Sequence, residues 1–175
     1  MDRAKQSREG IILNLAVEVL RTFGELRFAA LGASMLPAIF PGDTLIVRRE
    51  TARSARRGDV VLFFREGRFC AHRLVDKMEE GGRLSLITRG DALCKNDPPL
   101  AENELLGRVT AVVRGWKRIE LGEQPAASEV LLRWAVRRSG SAVKWLLRWH
   151  SFRTRLAQNS GGAFAEVQPK TLECV

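Results

Sequence analysis

Between residues 25 and 121 the chain alternates short β-prone runs with turn residues, and this pattern limits the possible folds more than any other feature. The runs are Leu26–Leu31, Thr44–Arg48, Asp59–Phe64, Arg68–Val75, Arg83–Thr88 and Arg108–Leu121. Each is short and rich in branched or aromatic residues, as strands are. Glu66-Gly67 and Gly81-Gly82 sit where two-residue hairpin turns belong. The expectation is a mainly β fold: a compact, mostly antiparallel β domain over residues 25–121.

The flanks have a different texture. Residues 8–23 read as a helix that Ser7 can cap and Gly24 can close. Ile11, Ile12, Leu15, Ala16, Val19, Leu20 and Phe23 form one apolar stripe, with Glu18 and Arg21 off it. The simplest role is a surface helix docked on the core, and contact with a membrane or partner is the alternative. The domain division is therefore 1–24 amphipathic helix, 25–121 β domain, 122–128 hinge, 129–155 basic Trp-rich helix and 156–175 loose tail.

Composition locates the charge. The 175 residues carry a formal charge of +9, and residues 130–155 hold seven Lys/Arg and no Asp/Glu, so the other 149 residues net only +2. On a continuous helix Arg133, Arg137, Lys144, Arg148 and Arg155 fall within roughly a 60° arc. Leu131, Trp134, Ala135, Ala142, Trp145, Leu146 and Trp149 fall on the opposite half, while Arg138 breaks the pattern and Gly140 can kink it. A narrow basic stripe beside a Trp-bearing apolar face suits an anionic membrane surface. The membrane-binding candidates are Arg133, Trp134, Arg137, Lys144, Trp145, Arg148 and Trp149. Packing of this helix on the β domain is the competing reading. Nucleic acid is disfavoured, because the β domain lacks stacking aromatics and the chain has no Tyr.

Other classes drop out on simple grounds. The three cysteines (Cys70, Cys94 and Cys174) are scattered without a CxxC pair, which argues against a disulfide framework or a zinc site. Neither a metal nor any other cofactor is expected. No run approaches the ~18 apolar residues of a membrane span, and no signal-peptide pattern is visible. The expected location is the cytoplasm or the periphery of a membrane.

Four segments of the β domain carry chemistry. Gly32-Ala33-Ser34-Met35-Leu36-Pro37, followed by Pro41-Gly42-Asp43, holds a Ser in a Pro-fixed turn after a strand, which suits a nucleophile. Arg57-Gly58-Asp59-Val60-Val61 is a turn opening a buried strand. His72, one of two histidines, lies inside Phe69–Val75 and meets the need for a base that titrates near neutral pH. Thr88-Arg89-Gly90-Asp91 continues to Asp97, so two carboxylates flank a short loop, and either could accept the second imidazole N–H. Taken singly, each segment also reads as an ordinary turn, cap or strand.

Together the segments resemble the type I signal peptidase superfamily (peptidases S24/S26), which also contains the self-cleaving LexA-type repressors. The motif residues are Ser34-Met35-x-Pro37 with Gly42-Asp43, Gly58-Asp59-Val60-Val61, His72-Arg73, and Gly90-Asp91 with Asp97. The resemblance covers roughly residues 26–113. In the bacterial signal peptidases and LexA-type proteins the base is a Lys. His72-Arg73-Leu74-Val75 instead resembles the endoplasmic-reticulum, archaeal and sporulation-type branch, which uses a His.

The resemblance implies a serine endopeptidase: Ser34 as nucleophile, His72 as general base, Asp97 as the residue orienting His72, and Asp91 supporting the site through its loop. It makes the Ser34 amide the first oxyanion donor, with Gly32 and Met35 as supporting neighbours. Many relatives have a hydroxyl residue two positions before the nucleophile. Gly32 stands there and has no side chain, so either backbone donors act alone or activity is modest. The implied substrate is an extended peptide or precursor protein, paired to a strand edge, with small residues beside the cleaved bond. The 8–23 helix is too short and charged to be the usual transmembrane anchor, which favours a processing protease that is not membrane-spanning. Cys70, two residues from His72, is expected to pack beside the site. The alternative is a non-catalytic or self-cleaving regulatory module on the same scaffold.

Overall fold

The fold is taken from a computed structural model that describes residues 2–122, with side chains from Glu9 onward. The remainder of the hinge, the basic 129–155 stretch with its Arg133, Trp134, Arg137, Lys144, Trp145, Arg148 and Trp149, and the 156–175 tail lie outside the described residues.

One helix, α1 (Asp2–Phe23), precedes the strands β1 (Glu25–Ala29), β2 (Thr44–Arg49), β3 (Val60–Arg65), β4 (Arg68–Glu80), β5 (Arg83–Arg89), β6 (Leu100–Ala101), β7 (Leu105–Arg114) and β8 (Lys117–Glu120). They form one eight-stranded sheet in the order β1-β2-β7-β3-β4-β5-β6, with β8 paired to β7. Every pairing is antiparallel. The expected antiparallel β domain is present.

Side-chain alternation splits the core in two. Leu45, Val47, Val60, Leu62, Phe69 and Val109 pack with Ala16 and Leu20 of α1. Val61, Phe63, Leu74, Leu84, Leu86 and Leu100 pack on a second cluster with Ala52 and Ala55. Successive β3 residues feed opposite clusters, so both of its faces are apolar and its sequence is an unbroken apolar run. His72 pairs in register with Val61, and its neighbours at i±2, Cys70 and Leu74, belong to the second cluster.

Four details differ from the sequence reading. The α1 helix starts at Asp2, so Ser7 lies inside it rather than capping it. Its apolar stripe is only partly docked: Ala16 and Leu20 are buried, but Ile11 and Leu15 are each 63% exposed and Phe23 76%. The stripe spans a wider arc than the edge of the sheet can cover. The run 108–121 is a hairpin, β7 and β8, turned at Gly115-Trp116. The two-residue β6 was not foreseen, because so short a pairing has no periodicity to read. The expected turns are hairpins: Glu66-Gly67 and Gly81-Gly82 all have positive φ, the geometry that follows the twist of the flanking strands.

Candidate active site

The Ser34 segment is a folded loop closed at both ends by backbone hydrogen bonds. The Ala30 amide donates to the Asp43 carbonyl (2.8 Å) and the Gly42 amide to the Ala30 carbonyl (2.7 Å). Met35, Leu36, Ile39 and Phe40 are buried and hold the loop on the core. The Phe40 amide donates to Asp43 Oδ2 (2.7 Å). Ser34 itself is only half-buried, so the packing fixes its backbone while the residue stays partly accessible.

Opposite lies His72 on β4. Its ring sits edge-on to Phe63, with centroids 5.9 Å apart. His72 Nε2 is 3.0 Å from Ser34 Oγ. His72 Nδ1 is 2.7 Å from Asp97 Oδ2. An ionised carboxylate only accepts, so Nδ1 carries the proton it donates to Asp97. In the neutral ring, Nε2 is then an acceptor for the Ser34 hydroxyl.

Asp97 is gripped by Thr88. Its amide donates to the Thr88 carbonyl (2.8 Å), and Thr88 Oγ1 donates to Asp97 Oδ2 (2.6 Å). Burial pushes the Asp97 carboxyl up. The hydrogen bonds from His72 and Thr88, with the positive charges of His72 and Arg65, outweigh this and hold it below its ordinary value. Arg65 also fastens the chain after Asp97. It donates to the carbonyls of Pro98 (2.8 Å) and Pro99 (2.7 Å) and pairs with Glu104 at 2.8 Å.

Asp91 does not contact the imidazole. It accepts two bonds from Arg73, Nε to Oδ1 (2.8 Å) and Nη2 to Oδ2 (2.7 Å), and Arg73 Nη1 donates to the Gly58 carbonyl (2.5 Å). The other two Gly-Asp turns follow the same rule. Asp43 pairs with Arg114 at 2.7 Å and Asp59 with Arg108 at 3.4 Å. These three aspartates are 1%, 5% and 2% exposed for Asp43, Asp59 and Asp91, so each needs its counter-charge.

The Asp91 loop also rests on the Ser34 backbone. The Ala92 amide donates to the Ser34 carbonyl (2.8 Å). A Cβ on Gly90 would lie 2.7 Å from that same carbonyl oxygen, so only glycine permits the approach.

The peptidase S24-like family matches residues 24–110. This domain belongs to the S24/S26 peptidase superfamily. A search of curated proteins finds no match. The peptidase S24-like match begins where α1 ends and stops within β7, so it spans the Ser34 loop, β4 and both aspartates.

Within this peptidase-like scaffold the remaining candidates are placed as follows. Met35 is 3% exposed and packs in the first core cluster. Gly32 is half-buried in the Ser34 loop. Cys70 packs against the second cluster, and Cys94 is exposed in the aspartate loop. Among the described residues no group of His, Cys, Asp and Glu could hold a metal ion, and no helix is long and apolar enough to cross a membrane.

Sequence reasoning passed over Thr88, Arg65 and Arg114. Thr88 had a readable signal: Leu84, Leu86 and Thr88 are the alternating buried positions of β5, and a hydroxyl in such a stripe demands a partner. Arg65 and Arg114 had none, since their partners lie 39 and 71 residues away.

Proposed function

We propose that this domain is a serine endopeptidase in which Ser34 attacks, His72 acts as general base and acid, and Asp97 orients His72. The observation that carries the reading is the unbroken hydrogen-bond chain from Ser34 Oγ through both His72 nitrogens to Asp97, at 3.0 and 2.7 Å. Nucleophile, base and orienting group are each within catalytic reach of the next.

The chemistry follows from that chain. His72 Nε2 accepts the Ser34 proton as Oγ bonds to a peptide carbonyl carbon. The imidazolium keeps its Nδ1–H on Asp97, whose negative charge balances it. The new oxyanion faces backbone amides of the Ser34 loop, because Gly32 supplies no hydroxyl. His72 then gives its proton to the leaving amine. Water, activated by the same nitrogen, hydrolyses the acyl-enzyme.

The substrate in this proposal is an extended peptide or precursor protein. An anionic membrane surface, met through residues 129–155, is a further partner proposed from the sequence alone. Liposome co-sedimentation with and without those residues tests it, and unchanged partition would count against it.

Labelling by a fluorophosphonate, compared between the wild type and Ser34→Ala, tests the peptidase reading. Covalent labelling is expected at Ser34 and lost in the variant. Equal labelling of both proteins would sink the proposal.

A further inference from the structure

The β5 strand alternates buried and half-buried residues, and its buried face reads Leu84, Leu86, Thr88. Two leucines of the second core cluster are followed by a hydroxyl residue at the end of the strand nearest His72. Thr88 is 0% exposed. A hydroxyl so placed costs stability unless it finds a partner. Its partner is Asp97 Oδ2, at 2.6 Å, the same oxygen that accepts His72 Nδ1–H. The Thr88 carbonyl meanwhile receives the Asp97 amide at 2.8 Å. A single residue therefore holds Asp97 by backbone and by side chain.

We propose that Thr88 is a positioning residue: its buried hydroxyl fixes the rotation of the Asp97 carboxylate so that Oδ2 meets the His72 Nδ1–H. This rests on the reading of Ser34, His72 and Asp97 as a peptidase site. The backbone bond sets where the Asp97 Cα lies but leaves the carboxylate free to turn about its side-chain torsions. Half-buried near the end of the loop between β5 and β6, that carboxylate has water as a competing partner. The Thr88 hydroxyl comes from a rigid strand and has no water to exchange with, so it selects one orientation. Sharing Oδ2 also draws charge from the oxygen facing the imidazole, which keeps the proton on His72. The charged groups acting on Asp97 are His72 from β4 and Arg65 from β3, and neither depends on the Thr88 side chain.

Thr88→Val keeps the shape and removes the hydroxyl, whereas Thr88→Ser keeps the hydroxyl. Two readouts are taken on the full chain: the rate across pH at which a fluorophosphonate phosphonylates Ser34, forming the Oγ–P bond and expelling fluoride, and the NMR resonance of His72 Nδ1–H. The chain has two histidines, so His150→Gln assigns the signal. In Thr88→Val the phosphonylation rate is expected to fall about 10- to 100-fold through misplacement of the base. The rising limb of its pH profile should move downward, since a carboxylate free to turn towards water stabilises the imidazolium less. The Nδ1–H resonance should broaden or shift. Thr88→Ser should restore all three properties.

Thr88→Val indistinguishable from wild type in rate, pH limb and resonance would overturn the proposal. So would a loss that Thr88→Ser does not restore, because that would mark a packing role. If Thr88→Val does not melt cooperatively, Thr88→Ala takes its place in the same measurements. If wild-type Ser34 is not labelled at all, the peptidase reading fails, and the Nδ1–H resonance still decides the role of Thr88.

Discussion

Asp91 and Asp97 lie six residues apart on one loop, yet they belong to different machinery. Asp91 is 2% exposed and meets a guanidinium that also ties the Gly58 turn to β4. Asp97 is partly exposed and meets an imidazole, which can gain and lose a proton. A carboxylate beside Arg is a fixed charge pair, because Arg does not deprotonate. A carboxylate beside His can steady a charge that comes and goes. The difference lies in the partner: one carboxylate is tied to a permanent charge, the other to a group that can gain and lose one.

The contrast makes opposite predictions for the same substitution at the two positions. Asp97→Asn should lower the rate of Ser34 labelling by a fluorophosphonate by about 10³–10⁴-fold, with the fold intact. An amide can donate to Nδ1, which turns Nε2 into a donor unable to take the serine proton. Labelling kinetics with a urea melt measure both properties. A variant that keeps its rate would erase the distinction.

Asp91→Asn should do the reverse. Arg73 would keep its charge with only neutral partners, the new amide and the Gly58 carbonyl, costing about 3 kcal/mol of stability. Its rate per folded molecule should fall far less than that of Asp97→Asn. Urea midpoints, paired with titration of labelled Ser34, check this.

Gly90→Ala probes the contact between the two regions. The added methyl group would meet the Ser34 carbonyl oxygen at 2.7 Å, and neither is a flexible side-chain end. A cost of about 1–3 kcal/mol is expected from forced backbone shifts, with slower fluorophosphonate labelling because the Ser34 peptide must move. Stability and rate falling together would show that the loop is seated on Ser34.

The smallest effect is acid dependence. The folded pKa of Asp97 lies below its ordinary value of 3.8. Its contribution to stability is therefore complete above 3.8 and is lost as pH falls through the lower folded value. Wild type should lose more stability than Asp97→Asn across that acid window, and denaturation at stepped pH measures the difference. Parallel curves would mean that Asp97 is held no more tightly folded than unfolded.

Much of the fold was legible in the sequence because its signals are local. Hairpin turns at Glu66-Gly67 and Gly81-Gly82 and apolar runs such as Val60–Phe64 depend on residues that are neighbours in the chain. The β7–β8 hairpin was less legible, since Gly115-Trp116 interrupts an otherwise continuous β-prone run. The α1 stripe was read correctly as apolar, but its exposure was not. How much of a helix a sheet covers depends on where the sheet ends.

The sequence by itself determined the antiparallel β class, the address of the positive charge and the small set of polar residues able to do acid–base chemistry. The family resemblance pointed to Asp97 as the partner of His72; only the tertiary structure decided that Asp91 is bound by Arg73, that Thr88 grips Asp97 and that Arg65 fastens the chain behind it. The physical reason is distance along the chain. Periodicity and turn chemistry act over a few residues. The partner of a buried charge is chosen by strand register, which brings Ser34 to His72 across 38 residues and Arg114 to Asp43 across 71.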